Sequence, residues 1–192
     1  MHVLCVIDHP EPGSFSHQIA ARFAEGLARA SHSHEVADLH AEGFDPRWTA
    51  ADAAVFRGAA VPGDVAAEQE RIDRADALAL IFPLFWYGMP AMTKGWFDRV
   101  WSFGWAYDQV DDPGASLQRP RRALMLIPAG GRPEDWHPKG VDKDIARIWR
   151  DGMLGLFGMG TADIRLLTGA AVEPEARRDA ILTEAFEAGR AF

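Results

Sequence analysis

The stretch Ala77–Trp101, ALALIFPLFWYGMPAMTKGWFDRVW, holds a strand, a loop and a helix in direct succession. Its first part, Ala77–Phe82, is an unbroken apolar run, the pattern of a strand buried on both faces. Pro83 ends that run. Gly88 and Pro90 punctuate the next few positions, so Phe85, Trp86 and Tyr87 stand together in a loop. From Ala91 to Trp101 the apolar residues fall at helical spacing, with Pro90 suited to the first turn. A central strand followed by a helix leading back is the repeating step of a parallel α/β sheet. The loop raises the question of function. Exposed aromatic area is a liability unless another subunit or a flat apolar ligand covers it.

The same alternation extends in both directions. Val3–Asp8 reads as a buried strand, and Ser16–Ala30 as a helix on the spacing of Ile19, Phe23 and Leu27. Glu35–Leu39 is a weaker strand, Arg47–Pro62 a mixture of helix and loop, and Asp64–Ala75 a helix with Asp64 as its N-cap. Downstream, Arg122–Ile127 and Ala162–Leu167 are strands, while Asp142–Phe157 and Pro174–Ala191 are amphipathic helices. No composition shift marks a boundary. The expectation is one α/β domain over residues 1–192, a three-layer sandwich around a five-stranded parallel sheet.

Charge and cysteine content narrow the classes of partner. With 20 basic against 28 acidic residues the formal charge is −8, which argues against nucleic acid and anionic membrane surfaces. The one cysteine, Cys5, excludes an internal disulfide and, lying in an apolar run, reads as a buried core residue. The opening MHVLCVID carries no basic and long apolar leader, and no apolar segment approaches membrane-spanning length, so a cytoplasmic protein is expected. His32 and His34 lack the supporting Cys, Asp or Glu pattern of a metal site. No metal is expected.

In an open parallel sheet, ligands bind beyond the carboxyl ends of the strands, where strand order reverses. Three loops fall there: DHPEPGSFSHQ after the first strand, PLFWYGMP after the third and PAGGRPEDWHPKG after the fourth. The first offers hydroxyls and free amides at a helix start, suited to a phosphate. The second offers aromatics. The third offers Gly130-Gly131, where absent side chains let backbone approach a planar group. Neither GxGxxG nor GxxxxGK[ST] occurs in the first loop, and there is no GxSxG elbow to make Ser14 a hydrolase nucleophile.

On HPEPGSFSHQIA, on AAEQERIDRADALALIFPLFWYGMPAMTKGWFDRVWSFGWAY and on Gly130-Gly131, the chain resembles the flavodoxin-like NAD(P)H:quinone oxidoreductases and the related modulator-of-drug-activity and potassium-efflux ancillary proteins. The resemblance implies a flavodoxin-like fold and a homodimer. A flavin, FAD or alternatively FMN, would carry two electrons from NAD(P)H to a quinone or similar aromatic acceptor. By that resemblance His9, Ser14, Phe15 and Ser16 line the flavin's phosphate and ribityl chain, and Gln69 lies near the phosphates or adenylate. Pro83, Leu84, Phe85, Trp86 and Tyr87 run beside the isoalloxazine. Pro128, Ala129, Gly130, Gly131 and Trp136 complete the cofactor set, the glycines passing its pyrimidine edge. Tyr107, from the partner subunit, lines the acceptor slot together with the position of Gln109. A regulatory subunit of a membrane transporter and a nitro- or azo-compound reductase are the alternative readings.

The chain departs from the family pattern after Gly131. Trp136 falls near the place of a family tyrosine, and a family histidine's place falls around Asp142, with His137 displaced earlier. Indole cannot donate a proton as a phenol does. His137 is therefore the expected proton donor. Phe85 and Gln109 also replace a family glutamine and a family aromatic, which leaves acceptor preference open.

Overall fold

A computed structural model describes residues 1–107, 122–136, 140–159, 161–171 and 175–192. Strands β1 (His2–Ile7), β2 (Ser33–Asp38), β3 (Ala77–Ile81), β4 (Arg122–Ala129) and β5 (Asp163–Thr168) pair in the order β2-β1-β3-β4-β5. Every pairing is parallel. This is the flavodoxin-like order, and it reverses direction between β1 and β3.

Period-two alternation divides the sheet's side chains between two cores. Val3, Cys5, Ile7, Ala77, Ala79, Ile81, Leu124 and Leu126 face α1 (Phe15–Arg29) and α7 (Glu175–Arg190). Leu4, Val6, Leu78, Leu80, Phe82, Met125 and Ile127 face the other helices, among them α4 (Ala91–Val100) with Trp96, Phe97 and Val100. Helices α2 (Ala50–Val55), α3 (Gly63–Asp73), α5 (Pro133–Trp136) and α6 (Val141–Arg147) complete the series. On the first face α1 and α7 touch backbone to backbone, since a Cβ on Gly26 would meet the Phe186 carbonyl oxygen at 2.1 Å. Burial pushes the Cys5 thiol up to about 12, so it stays protonated and inert.

Several local expectations are corrected. Pro62, not Asp64, occupies the N-cap of α3; the Asp64 carboxylate accepts from Arg99 at 2.6 Å instead. Pro90 is likewise the N-cap of α4 rather than part of its first turn. Arg99, a charge on α4 that reads from sequence as a surface or interface residue, has a side chain only 4% exposed and is held within the chain by Asp52, Asp64 and the Asp45 carbonyl. The helix expected over Asp142–Phe157 is α6 followed by a π-helical stretch, Ile148–Leu154. Among the described residues no helix is long and apolar enough to cross a membrane.

Candidate functional site

The three loops beyond the carboxyl ends of β1, β3 and β4 are stitched together by backbone hydrogen bonds. The Asp8 amide donates to Ile81 O at 3.0 Å, and the Leu84 amide to Pro128 O at 3.0 Å. Gly169 N–H donates to Gly131 O at 2.7 Å, tying the fourth-strand loop to the end of β5. Pro83, Leu84, Pro128, Ala129, Gly130 and Gly131 therefore lie along one edge of the sheet.

Asp8, at the end of β1, anchors the aromatic loop from below. Its buried carboxylate accepts from the Thr93 amide at 2.8 Å and the Thr93 hydroxyl at 2.5 Å, and lies 2.9 Å from His40 Nε2. Thr93 is in the first turn of α4, immediately after the aromatic loop. The charge favours that helix N-terminus and fixes where the loop must return.

The loop itself closes tightly. Phe85 and Gly88 exchange both backbone hydrogen bonds, at 3.1 and 2.9 Å, as an isolated antiparallel bridge. Trp86 and Tyr87 between them take positive φ, 50° and 64°. Two left-handed residues in a two-residue turn are the signature of a type I′ hairpin, normally Asn-Gly. Aromatic residues hold that conformation against steric cost, and such strain concentrates at functional sites. Trp86 is 96% exposed, so packing within this chain does not explain it.

Tyr87 meets the third loop. Its ring stands edge-on to Trp136, centroids 5.0 Å apart. The short helix α5 brings Trp136 back over Gly131, its turn closed by a hydrogen bond from the Arg132 amide to Asp135 Oδ2 at 3.1 Å. A Cβ on Gly131 would lie 2.4 Å from Trp136 Nε1. We expect Gly131→Ala to displace the indole and to lower stability by about 1–3 kcal/mol, as overpacking does; the shift of the urea midpoint measures it. Trp136 Nε1 is itself buried with no acceptor among the described residues. A buried donor without an acceptor is a group that calls for a partner.

At the first loop Ser14 is the N-cap of α1, whose first-turn amides have no intrahelical acceptor. Ser14 Oγ lies 2.7 Å from His17 Nδ1, and His17 Nε2 lies 2.9 Å from Asp38 Oδ2 at the end of β2. Burial alone would raise the Asp38 pKa, but hydrogen bonds from His17 and the Ala41 amide hold it below the usual carboxylate range. His9 Nδ1 accepts from the Glu11 amide at 3.1 Å. Phe15 is half-buried beneath the Arg178 guanidinium, 4.2 Å from the ring centroid, and Ser16 is buried.

Two expected site residues stand apart from these loops. Gln69 is 6% exposed and its amide nitrogen donates to Val100 O and Ser102 Oγ, at 2.8 and 3.0 Å. Those acceptors lie at and just past the far end of α4, roughly 15 Å along the helix axis from the aromatic loop. Within this chain the Gln69 amide nitrogen ties α3 to the C-terminal end of α4 and the residues that follow it. Tyr107 packs at that far end too, on Phe103 and Phe56, with ring centroids at 5.8 and 6.5 Å. Burial raises its pKa and keeps the phenol protonated. Gln109 and His137 lie outside the described residues. Asp8, His17, Asp38, His40 and Thr93 escaped the sequence reading. The only local signals were an Asp-His pair ending a strand and a histidine three residues after a helix-capping serine.

Residues 1–190 match the family described as having a flavodoxin-like fold. The chain is 29% identical over 199 residues to NAD(P)H dehydrogenase (quinone) 1 of Cavia porcellus, covering 93% of this chain and 72% of that one. It is 30% identical over 160 residues to ribosyldihydronicotinamide dehydrogenase (quinone) of Pongo abelii, covering 74% and 69%. The structure of an NAD(P)H:quinone oxidoreductase from Methanothermobacter marburgensis superposes with a TM-score of 0.87 at 36% identity, over 99% of this chain and 98% of that one.

Proposed function

The chain belongs to the flavodoxin-like family, among its NAD(P)H:quinone oxidoreductases, and on that premise we propose that it passes two electrons from NAD(P)H through a bound flavin to a quinone or similar aromatic acceptor. The observation that carries this reading is the meeting of the strained Trp86–Tyr87 turn with Trp136 over Gly131, beside an orphaned indole N–H. A planar, acceptor-edged ring system answers both features: it gives the exposed aromatics an apolar face to cover and the indole an oxygen or nitrogen to meet.

In this reading Ser14, Phe15, Ser16 and the first-turn amides of α1 hold the phosphate, with His9 at their edge. The loop from Pro83 to Tyr87 walls the ring, and Pro128, Ala129, Gly130, Gly131 and Trp136 pass its opposite edge. Flavin, when bound, supplies hydride acceptance from nicotinamide and two-electron delivery to the acceptor. The protein's own work is alignment and exclusion of water. Trp136 Nε1 also offers a positive dipole where negative charge gathers on reduction. We assign proton supply to His137. The chain, folded as one unit over residues 1–192, acts as a homodimer, so that Tyr107 of a second copy closes the acceptor slot.

The purified protein is expected to be yellow and to bleach at once on anaerobic addition of NADPH, with the released cofactor identified as FAD or FMN by chromatography. Colourless protein that takes up neither flavin would end the assignment.

A further inference from the structure

We propose that His17 is the positioning residue for the cofactor's phosphate: it takes up a proton from solvent as the phosphate binds and thereby turns the Ser14 hydroxyl toward the anion. The proposal rests on the flavin reading of the first loop and goes beyond it to a residue and a linkage.

The relay Asp38–His17–Ser14 determines where protons can sit. Asp38 is held ionised by its hydrogen-bond donors, His17 among them. A carboxylate only accepts, so the proton of neutral His17 belongs on Nε2, facing Asp38 Oδ2 at 2.9 Å. Nδ1 is then an acceptor. The 2.7 Å contact to Ser14 Oγ must use the hydroxyl's own proton. In that state Ser14 points its hydrogen into the protein and presents only lone pairs to an incoming anion, which repels them. Protonation of Nδ1 reverses the bond: the imidazolium donates to Ser14 Oγ, and the serine O–H swings free to donate to a phosphate oxygen. One proton enters from solvent at Nδ1, the hydroxyl proton stays on Ser14, and no bond other than hydrogen bonds is broken.

The surroundings favour this change. The His17 and Asp38 side chains are 18% and 23% exposed, so their charge pairing is only partly screened. The other ionisable groups nearby are His9, edge-on to His17 with centroids 6.4 Å apart, and Glu11, whose amide donates to His9. The Asp8–His40 pair lies at the ends of the adjoining strands, and Arg178 of α7 lies over Phe15. Of the two neighbouring histidines, only His17 contacts the Ser14 hydroxyl.

FAD is the suitable probe, because its diphosphate does not titrate near neutrality and any proton taken up is the protein's. Calorimetry of FAD binding to the apoprotein, in buffers of different ionisation heat and over a series of pH values, should count up to one proton bound per FAD. Wherever a proton is taken up, affinity should rise up to ten-fold for each unit the pH falls. His17→Gln should abolish the uptake and flatten the pH profile. Riboflavin, which has no phosphate, should bind without it. The His17 imidazole 15N signals should pass from the neutral Nε2–H form to imidazolium when FAD is added. FAD binding with no proton uptake, or equal uptake by wild type and His17→Gln, overturns the proposal and leaves the flavin reading standing. Failure of FAD, FMN and riboflavin alike to bind overturns both.

Discussion

Replacing Trp86 by Asn and Tyr87 by Gly together will make the fold more stable and the protein a poor flavin binder. Both residues hold positive φ between the paired backbones of Phe85 and Gly88, a geometry for which Asn-Gly is the natural occupant. A non-glycine residue kept there costs of order 1–3 kcal/mol, so relief of the turn should raise unfolding free energy by about that amount. Trp86 is 96% and Tyr87 59% exposed, and the folded chain loses little burial with them. The cofactor loses more. Removing roughly 100 Å² of apolar stacking surface at ~25 cal/mol per Å² costs about 2.5 kcal/mol, close to a hundred-fold in Kd. Urea unfolding and flavin titration read the two effects separately. A destabilised variant that kept its flavin would mean that the turn serves folding rather than binding.

Arg99→Met is expected to be the most damaging single substitution on the opposite side of the sheet from α1. The guanidinium donates to Asp52 Oδ1 at 3.1 Å, to Asp64 Oδ2 at 2.6 Å and to Asp45 O at 2.6 Å. It also lies over the Phe44 ring, 5.5 Å from its centroid. Asp64 is half exposed and can recover water, but the Asp52 side chain is 3% exposed and cannot. Removing one partner of a buried pair strands the other charge and typically costs about 3–5 kcal/mol. Asp52 keeps the Thr49 amide and hydroxyl, at 2.7 and 2.6 Å, as partners of a neutral or charged group alike. Adding Asp52→Asn to Arg99→Met should therefore restore part of the loss in urea midpoint. No restoration would place the cost in lost packing around the arginine stem instead.

The strands and their order of appearance were legible because burial imposes a short-range pattern. Ala77–Phe82 is apolar at every position, and the structure pairs Ala77–Ile81 on both sides, with β1 and with β4. That Phe85, Trp86 and Tyr87 stand in a loop was legible for a related reason: Pro83, Gly88 and Pro90 punctuate the chain within a few residues. What the sequence did not declare were the polar partnerships. Asp8 and Thr93 are 85 positions apart, His40 and Asp8 are 32 apart, and His17 and Asp38 are 21 apart. Arg99 sits at a helix position that looks solvent-facing, yet Asp52 and the loop carrying Asp45 fold over it. The Gln69 amide nitrogen donates to Val100 O at the end of α4 and to Ser102 Oγ just beyond it, 31 and 33 positions away.

By itself, then, the sequence determined the elements and the layering, because hydrophobic periodicity and turn residues act over a few positions. The tertiary structure alone decided that Trp86 and Tyr87 bear positive φ, that Trp136 covers Gly131 and that Asp38 governs His17. Those outcomes depend on which strand ends the parallel crossovers bring side by side, and hydrogen bonds and charges, unlike burial, act only between groups placed within a few ångströms of one another.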